Sequence, residues 1–297
     1  MEHDLMSALA DTTPDYSMFE PGKYWIFLGY EKSGKTTAAS TFSPKGEDGV
    51  LILDLESGVR TSKKISIPIS SANTPYTEDL NGEPIPVPPI DRGLRRRGVS
   101  VPSYSMVEAI EMLASGWKDS GKTTLVIDTV DILSDWCSRI AMEEIIRDDA
   151  LSKNPNPRIQ NAVCPEDIPF AQAFIKGRVK VGGVVNTLLD IIGDNGILIL
   201  CTHLKKTSVI TEARDVIVKR VPKLPEQTAA MLGHSAEGIA MFDIDEAGNH
   251  WVDFRGYSEV LMGTRVAPLQ GKKFLWQPSG KQTLYNVLLK QMSKATA

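Results

Sequence analysis

The feature that most restricts the fold is the run Gly29-Tyr-Glu-Lys-Ser-Gly34-Lys35-Thr36, which fits a phosphate-binding loop and directly follows the apolar residues 24–28. Glycines at both ends let the backbone curl until successive amide N–H groups converge on one oxyanion, and a following helix adds the partial charge of its N-terminus. In this pattern the lysine, Lys35, reaches the outer phosphates, and the hydroxyl of Thr36 is placed to coordinate a divalent cation. The residues between, Tyr30, Glu31, Lys32 and Ser33, and Thr37 just beyond, line the same loop. It works only between a buried strand and a helix, so the chain must build a strand–loop–helix unit on a sheet. The helix is expected to begin at 35 and run to about 42.

The bare pattern arises by chance in roughly one chain in a hundred, and here it occurs a second time, as Gly116-Trp-Lys-Asp-Ser-Gly121-Lys122-Thr123. A helical stretch precedes this copy and an apolar strand follows it, the reverse of the required order. Its glycines would end a helix, and Lys122 would fall at the wrong end of the sheet for phosphate. The second copy is expected to be a decoy.

Apolar runs alternate with helical stretches through most of the chain, the signature of βαβ units and of an α/β fold with a mostly parallel central sheet flanked by helices. Strands are expected at 24–28, 50–55, 124–128 and 197–202, with an edge strand near 65–69. Helices are expected at 105–117, where Met106, Ile110 and Leu113 recur at helical spacing, from 129 to about 147, and at 170–192. Residues 152–166, with three prolines, read as a loop. Segments 208–210 and 216–221 suit a hairpin, and 236–265 suits antiparallel strands around a turn at 246–249. The chain thus divides into a loose arm at 1–20, a main domain at 21–270 and a C-terminal helical tail at 271–297. Residues 57–104, rich in Pro, Ser, Gly and Arg, form an irregular insertion in the main domain.

The expected strand ends carry the remaining chemistry. Leu125-Val-Ile-Asp128 ends in an acid suited to holding a divalent cation beside the loop. Asp131 is within reach of the same region, or caps the next helix. Leu51-Ile-Leu-Asp54-Leu-Glu56 ends in two carboxylates two residues apart, which on a strand share a face. Glu56 at the tip suits the orientation of an attacking water, whereas Asp54 is deeper and structural; the plainer reading of Glu56 is a solvated loop acid. Ile197-Leu-Ile-Leu-Cys-Thr202-His203 places His203 at the same edge, where it can bond a terminal phosphate and report its loss, or lie satisfied in the core. His3, His234 and His250 look incidental.

The formal net charge of −4 argues against a protein that coats nucleic acid by bulk charge. Local basic groups remain: Arg92, Arg95, Arg96 and Arg97 in the insertion, and Lys205, Lys206, Arg214, Lys219, Arg220 and Lys223 after the His203 strand. The second group suits phosphate contacts to single-stranded DNA, or is simply a solvated face; aromatics for base stacking are missing from it. The three cysteines have no ligand spacing, which suggests free thiols in a reducing compartment. No apolar run is long enough to span a membrane and the N-terminus lacks the pattern of a secretion signal, so a cytoplasmic location is expected.

With these residues in place, the chain resembles the phage-encoded nucleotide-binding ATPases of the RecA-like class, a group that includes single-strand annealing and recombination proteins. The resemblance spans about 23–265 and rests on Gly29–Thr37, on Asp-Leu-Glu-Ser-Gly at 54–58, on 125–129 and on Leu-Cys-Thr-His at 200–203. It implies a RecA-like P-loop core, ATP with Mg²⁺, a catalytic Glu56, a γ-phosphate sensor at His203 and a DNA-contacting segment over 205–223. It also implies a homo-oligomer, ring or filament, in which Arg265 resembles a finger reaching a neighbour's nucleotide; the family's Lys two residues earlier is Gly263 here. Single-stranded DNA and phage or host replication or recombination proteins are the implied partners, in the host cytoplasm if phage-encoded. Three other functions compete: a helicase or packaging motor, a nucleotide-dependent switch docking a protein through the arginine-rich insertion, and a small-molecule kinase. A motor would normally carry a further domain, and a kinase would need an acceptor pocket.

Overall fold

The computed structural model describes residues 23–56, 66–78, 83–92, 95–96, 99–194, 196–210, 216–256, 262–278 and 282–293. Along the chain run β1 (Tyr24–Gly29), α1 (Lys35–Ala39), β2 (Val50–Asp54), β3 (Ser66–Ser71), β4 (Tyr104–Ser105), α2 (Met106–Gly116), β5 (Thr124–Asp128) and α3 (Val130–Ala150). They are followed by α4 (Gln172–Ile192), β6 (Ile197–Ile210), β7 (Val216–Pro222), α5 (Glu226–Ser235), β8 (Gly238–Ile244), β9 (His250–Asp253), β10 (Gly263–Thr264), β11 (Lys273–Leu275) and α6 (Leu284–Ser293).

The main sheet has the order β11-β9-β8-β1-β6-β5-β2-β3-β4, with β7 paired to β6 and β10 to β8. The ladders from β8 to β4 are parallel, and those of β9, β10, β11 and β7 antiparallel. This is the α/β class expected from the sequence: a mostly parallel sheet flanked by helices, with antiparallel strands added late in the chain.

Every residue of β1, β2 and β5 is buried, as it must be when helices cover both faces. The period of two sorts side chains into two layers. Tyr24, Ile26, Leu28, Leu53, Leu125 and Leu198 pack with α2, α3, α4 and α5 on one face. Trp25, Phe27, Ile52, Val126 and Ile199 pack on the other, with α1, Phe42 and α6. There Phe42 meets Phe27 and Tyr285 edge-on, with ring centroids 5.3 and 5.5 Å apart. Segment 271–297 therefore supplies an edge strand and part of the second core, since Leu284 and Leu288 are fully buried.

Several local expectations change. Helix α1 stops at Ala39 rather than near 42, because the Ser40 and Thr41 hydroxyls donate to the Thr37 and Ala38 carbonyls and compete with the helical ladder. Strand β3 is not the edge, since β4 pairs outside it. The loop at 152–166 contains a short helix, Pro157–Gln160, capped by Asn156, and α5 adds a helix at 226–235. The hairpin is the long β6 running on into β7, with Ile210 opposite Val216.

The second glycine-lysine pattern is a decoy, for the expected reason. Gly116 ends α2, Gly121 takes a left-handed φ of 68°, and Lys122 Nζ donates to the Asp48 carbonyl at 2.7 Å. This lies where β5 begins, at the end of the sheet opposite the first loop.

In the insertion, Arg92 is an internal anchor. Its guanidinium donates to the Val87 carbonyl and pairs with both carboxylate oxygens of Glu108, which also closes the capping box at the start of α2 with Ser105. Arg92 is thus occupied and withdrawn from any docking role. The side chains of Arg95 and Arg96, and all of Arg97, lie outside the described residues.

The Arg92 bond holds the Glu108 carboxyl down at about 2, against an ordinary 4.5. A depressed carboxylate contributes stability that is complete above its unfolded value and fades as pH falls from about 4.5 toward 2. Arg92→Ala is expected to cost about 2–3 kcal/mol at pH 7, the scale of charged hydrogen bonds. Urea unfolding at pH 7 and pH 3 checks this: the deficit should shrink at the lower pH, and an equal deficit at both would dissociate it from the ion pair.

Candidate active site

The parallel register delivers the loop and the polar strand ends to one edge of the sheet. Gly29 lies opposite His203 on β6 and Phe242 on β8, Cys201 opposite Asp128, and Asp128 opposite Asp54. Only glycine fits at 29, where a Cβ would stand 2.5 Å from Ser33 Oγ and 2.7 Å from the Phe242 carbonyl oxygen. Gly34 and Lys32 both adopt left-handed φ, of 97° and 61°. These conformations give the loop its curl. Because α1 spans only five residues, the loop offers an anion its amides and Lys35 rather than a long helix dipole.

Lys35 Nζ donates to the carbonyls of Gly29 and Tyr30, each at 2.8 Å. Burial pushes its pKa down, and the neighbouring acids, Asp128, Asp131 and Glu56 among them, oppose that shift. Thr36 Oγ1 donates to Asp128 Oδ2 at 2.8 Å. Asp128 Oδ1 is buried with no partner among the described residues. Burial lifts this carboxyl to about 6, with Thr36 acting the other way.

These observations fit a divalent cation. A hydroxyl and a carboxylate with an orphaned oxygen sit together, and the acids Asp128, Asp131 and Glu56 outnumber Lys35. The donors are hard oxygens of the kind Mg²⁺ takes. Thr36 and Asp128 are the residues that would hold it.

Glu56 lies just beyond β2. Its Oε1 accepts from Thr129 Oγ1 at 3.2 Å and stands 3.3 Å from His203 Nδ1. Burial raises its pKa, which His203 partly offsets. Asp54 is fully buried beneath the site, in keeping with a structural role. His203 Nδ1 is also 2.9 Å from Asp131 Oδ2. That bond raises the His203 pKa, and burial opposes it. Burial would lift Asp131, but its bond to and the charge of His203 keep it low. Asp131 is therefore no helix cap: Thr129 holds the N-cap position of α3, and Asp131 is turned to His203.

Two features of the site were not legible from local sequence. Thr129, following Asp128 through a cis peptide, supplies the hydroxyl that holds Glu56. His250, which looked incidental, has Nδ1 3.3 Å from the Ser33 carbonyl and packs edge-on against Trp276. A Cβ at Gly34 would meet both rings. Both residues come from late in the chain and wall the outside of the loop. Thr202 is fully buried, its hydroxyl without a partner among the described residues.

The other candidates lie elsewhere. Arg265 sits where β10 meets the start of β8, its backbone N–H bonded to the Glu237 carbonyl and its guanidinium to the His234 carbonyl. This is the sheet end away from its own loop. Lys205 and Lys206 are exposed on β6 where it leaves the main sheet, and Lys206 is opposite Arg220, whose guanidinium is 3.5 Å from Asp243. Lys223 is exposed, and its backbone N–H donates to the His203 carbonyl at 2.7 Å. Lys219 is placed by its backbone opposite Thr207, and Arg214 lies outside the described residues. Among the described residues no helix is long and apolar enough to cross a membrane.

Fold and loop together define the class: an α/β protein with a mostly parallel sheet and a glycine-lysine loop between its first strand and first helix. No family model matches the chain, and no curated protein does. Among solved structures it is similar to a KaiC-like protein, PH0186, from the hyperthermophilic archaeon Pyrococcus horikoshii OT3. The two share 14% identity over 88% of each chain, with a TM-score of 0.38.

The two glycine-lysine loops give a direct comparison. Lys35→Ala is expected to weaken binding of a fluorescent ATP analogue by about 10- to 100-fold, the scale of lost charged hydrogen bonds. Lys122→Ala should leave it unchanged. A loss of affinity in Lys122→Ala matching that in Lys35→Ala would contradict the assignment.

Proposed function

We propose that this protein binds ATP with Mg²⁺ and hydrolyses it. The observation that carries this reading is the position of Glu56: its carboxylate is held by Thr129 and His203 at the sheet edge where Lys35, Thr36 and Asp128 already converge. Phosphate hydrolysis is accelerated mainly by positioning and charge stabilisation, and the site offers both. In this reading Lys35 exchanges its two carbonyl partners for phosphate oxygens, and the loop amides hold the β-phosphate. Thr36 and Asp128 would hold Mg²⁺, which when bound would supply charge neutralisation of the phosphates. Glu56 accepts a hydrogen bond from the attacking water, and its partial burial brings its basicity nearer to neutral pH. His203 stands beside it to bond the terminal phosphate.

Glu56→Gln keeps the shape and removes the basic oxygen. Turnover is expected to fall by about 100-fold or more, while ATP affinity stays within a few-fold. Steady-state hydrolysis beside equilibrium binding measures both. Parent-like turnover in Glu56→Gln would remove Glu56 from the mechanism.

A second reading concerns the partner, and one contact favours it. The Lys223 N–H to His203 carbonyl bond joins the end of the basic β6–β7 hairpin to the proposed phosphate sensor. We infer that nucleotide state is coupled through this link to binding of single-stranded DNA along Lys205, Lys206, Arg220 and Lys223, in annealing or recombination. Arg265, remote from its own loop, would serve only a neighbour's site, in a homo-oligomer. ATP hydrolysis is expected to rise with single-stranded DNA, to lose that stimulation as salt increases, and to lose it also in Lys205→Ala/Lys206→Ala. Turnover indifferent to DNA at every salt would redirect the search to a protein partner.

A further inference from the structure

Asp131 is an acid for which the hydrolytic reading so far has no use. It is 3% exposed, and a buried carboxylate is costly unless paired and hydrogen-bonded. Both its oxygens reach His203, and the Thr129 side chain and the Asp131 backbone N–H also bond the carboxylate. Oδ2 lies 2.9 Å from His203 Nδ1, and Oδ1 accepts the His203 backbone N–H at 3.4 Å. Asp131 thus fixes the strand tip and the ring together.

The same ring nitrogen faces a second carboxylate, Glu56 Oε1, at 3.3 Å. Two carboxylate oxygens around one imidazole nitrogen require a proton on that nitrogen. Nδ1 is therefore the donor, bonded to Asp131 and close to Glu56, whereas Nε2 has no partner among the described residues. The same Glu56 oxygen accepts from Thr129 Oγ1 at 3.2 Å. The result is a cluster of Asp131, His203, Glu56 and Thr129, in which Asp131 and Thr129 are buried and Glu56 is more exposed.

The geometry points to Asp131 as a positioning residue that locks His203 in the Nδ1-protonated form, so that His203 braces the Glu56 carboxylate and keeps Nε2 open for the nucleotide. This role rests on the ATPase reading for its functional consequence, but not for the lock itself. Partners that orient a functional imidazole typically affect activity by 10- to 100-fold. Asp131 acts through His203 and Glu56, so its loss should change turnover and leave phosphate binding to Lys35 and the loop amides.

The test has two arms. In the first, histidine ¹⁵N spectra are taken of the full chain without nucleotide, the His203 signals being assigned by their loss in His203→Gln. Nδ1 of His203 should be protonated in the parent, and Asp131→Asn should release the ring into a mixture of forms. A parent spectrum with unprotonated Nδ1, or a spectrum unmoved by Asp131→Asn, would overturn the lock. In the second, Asp131→Asn should lower kcat about 10- to 100-fold with the KM for ATP within about two-fold, and should add nothing further to His203→Gln. Parent-like kcat, or an equal further loss in the double variant, would overturn the functional role. If the parent hydrolyses no ATP, the ATPase reading fails while the first arm still decides the lock.

Discussion

Parallel pairing of β1, β6, β5 and β2 is the constraint from which the rest of the site follows. In a parallel sheet every strand ends at the same edge, so residues far apart in sequence arrive together without a dedicated contact to bring them there. The register sets Gly29 against His203, Cys201 against Asp128, and Asp128 against Asp54. A one-residue slip in β6 would send His203 to the opposite face and set Thr202 or Leu204 against Gly29 in its place. Alternation on both faces opposes that slip, since Leu198 and Leu200 belong to one core and Ile199 and Cys201 to the other. The two cores therefore position the chemistry as well as stabilise the sheet.

Electrostatics explains why the polar groups at this edge are joined. Lys35, Asp128 and Asp131 are all buried, and none would hold its charge in isolation. Each has found a partner: two carbonyls for Lys35, Thr36 for Asp128, His203 for Asp131. The orphaned Asp128 oxygen and the surplus of acids leave this edge short of positive charge. In the proposed function, a bound cation would correct that deficit.

Much of this was legible in the sequence. Strand 124–128, the strand–loop–helix setting of Gly29–Thr36, the failure of the second loop and the position of Glu56 all follow from local pattern, because hydrophobic periodicity and glycine placement are local properties. Other features depend on sequence-distant packing. Asp131 reads equally well as a cap until β6 places His203 beside it. His250 and Trp276 have no local signal, since they reach the loop only through the β8–β9 hairpin and the segment after β11. Arg92 resembled its basic neighbours, yet Glu108 claims it. Helix α5 was missed, and α1 ended early because short hydroxyl side chains compete for its carbonyls.

The sequence by itself determined the class of fold and the strand–loop–helix setting of Gly29–Thr36, because a glycine-rich loop between a buried strand and a helix admits few architectures. Only the tertiary structure decided how the site is held: that Thr129 and His203 grip Glu56, that Asp131 serves His203, and that the C-terminal segment walls the loop and completes a core. These are pairings between residues up to about two hundred positions apart, as with His250 and Ser33. Sheet order and register select such pairings, and no local pattern of residues encodes them.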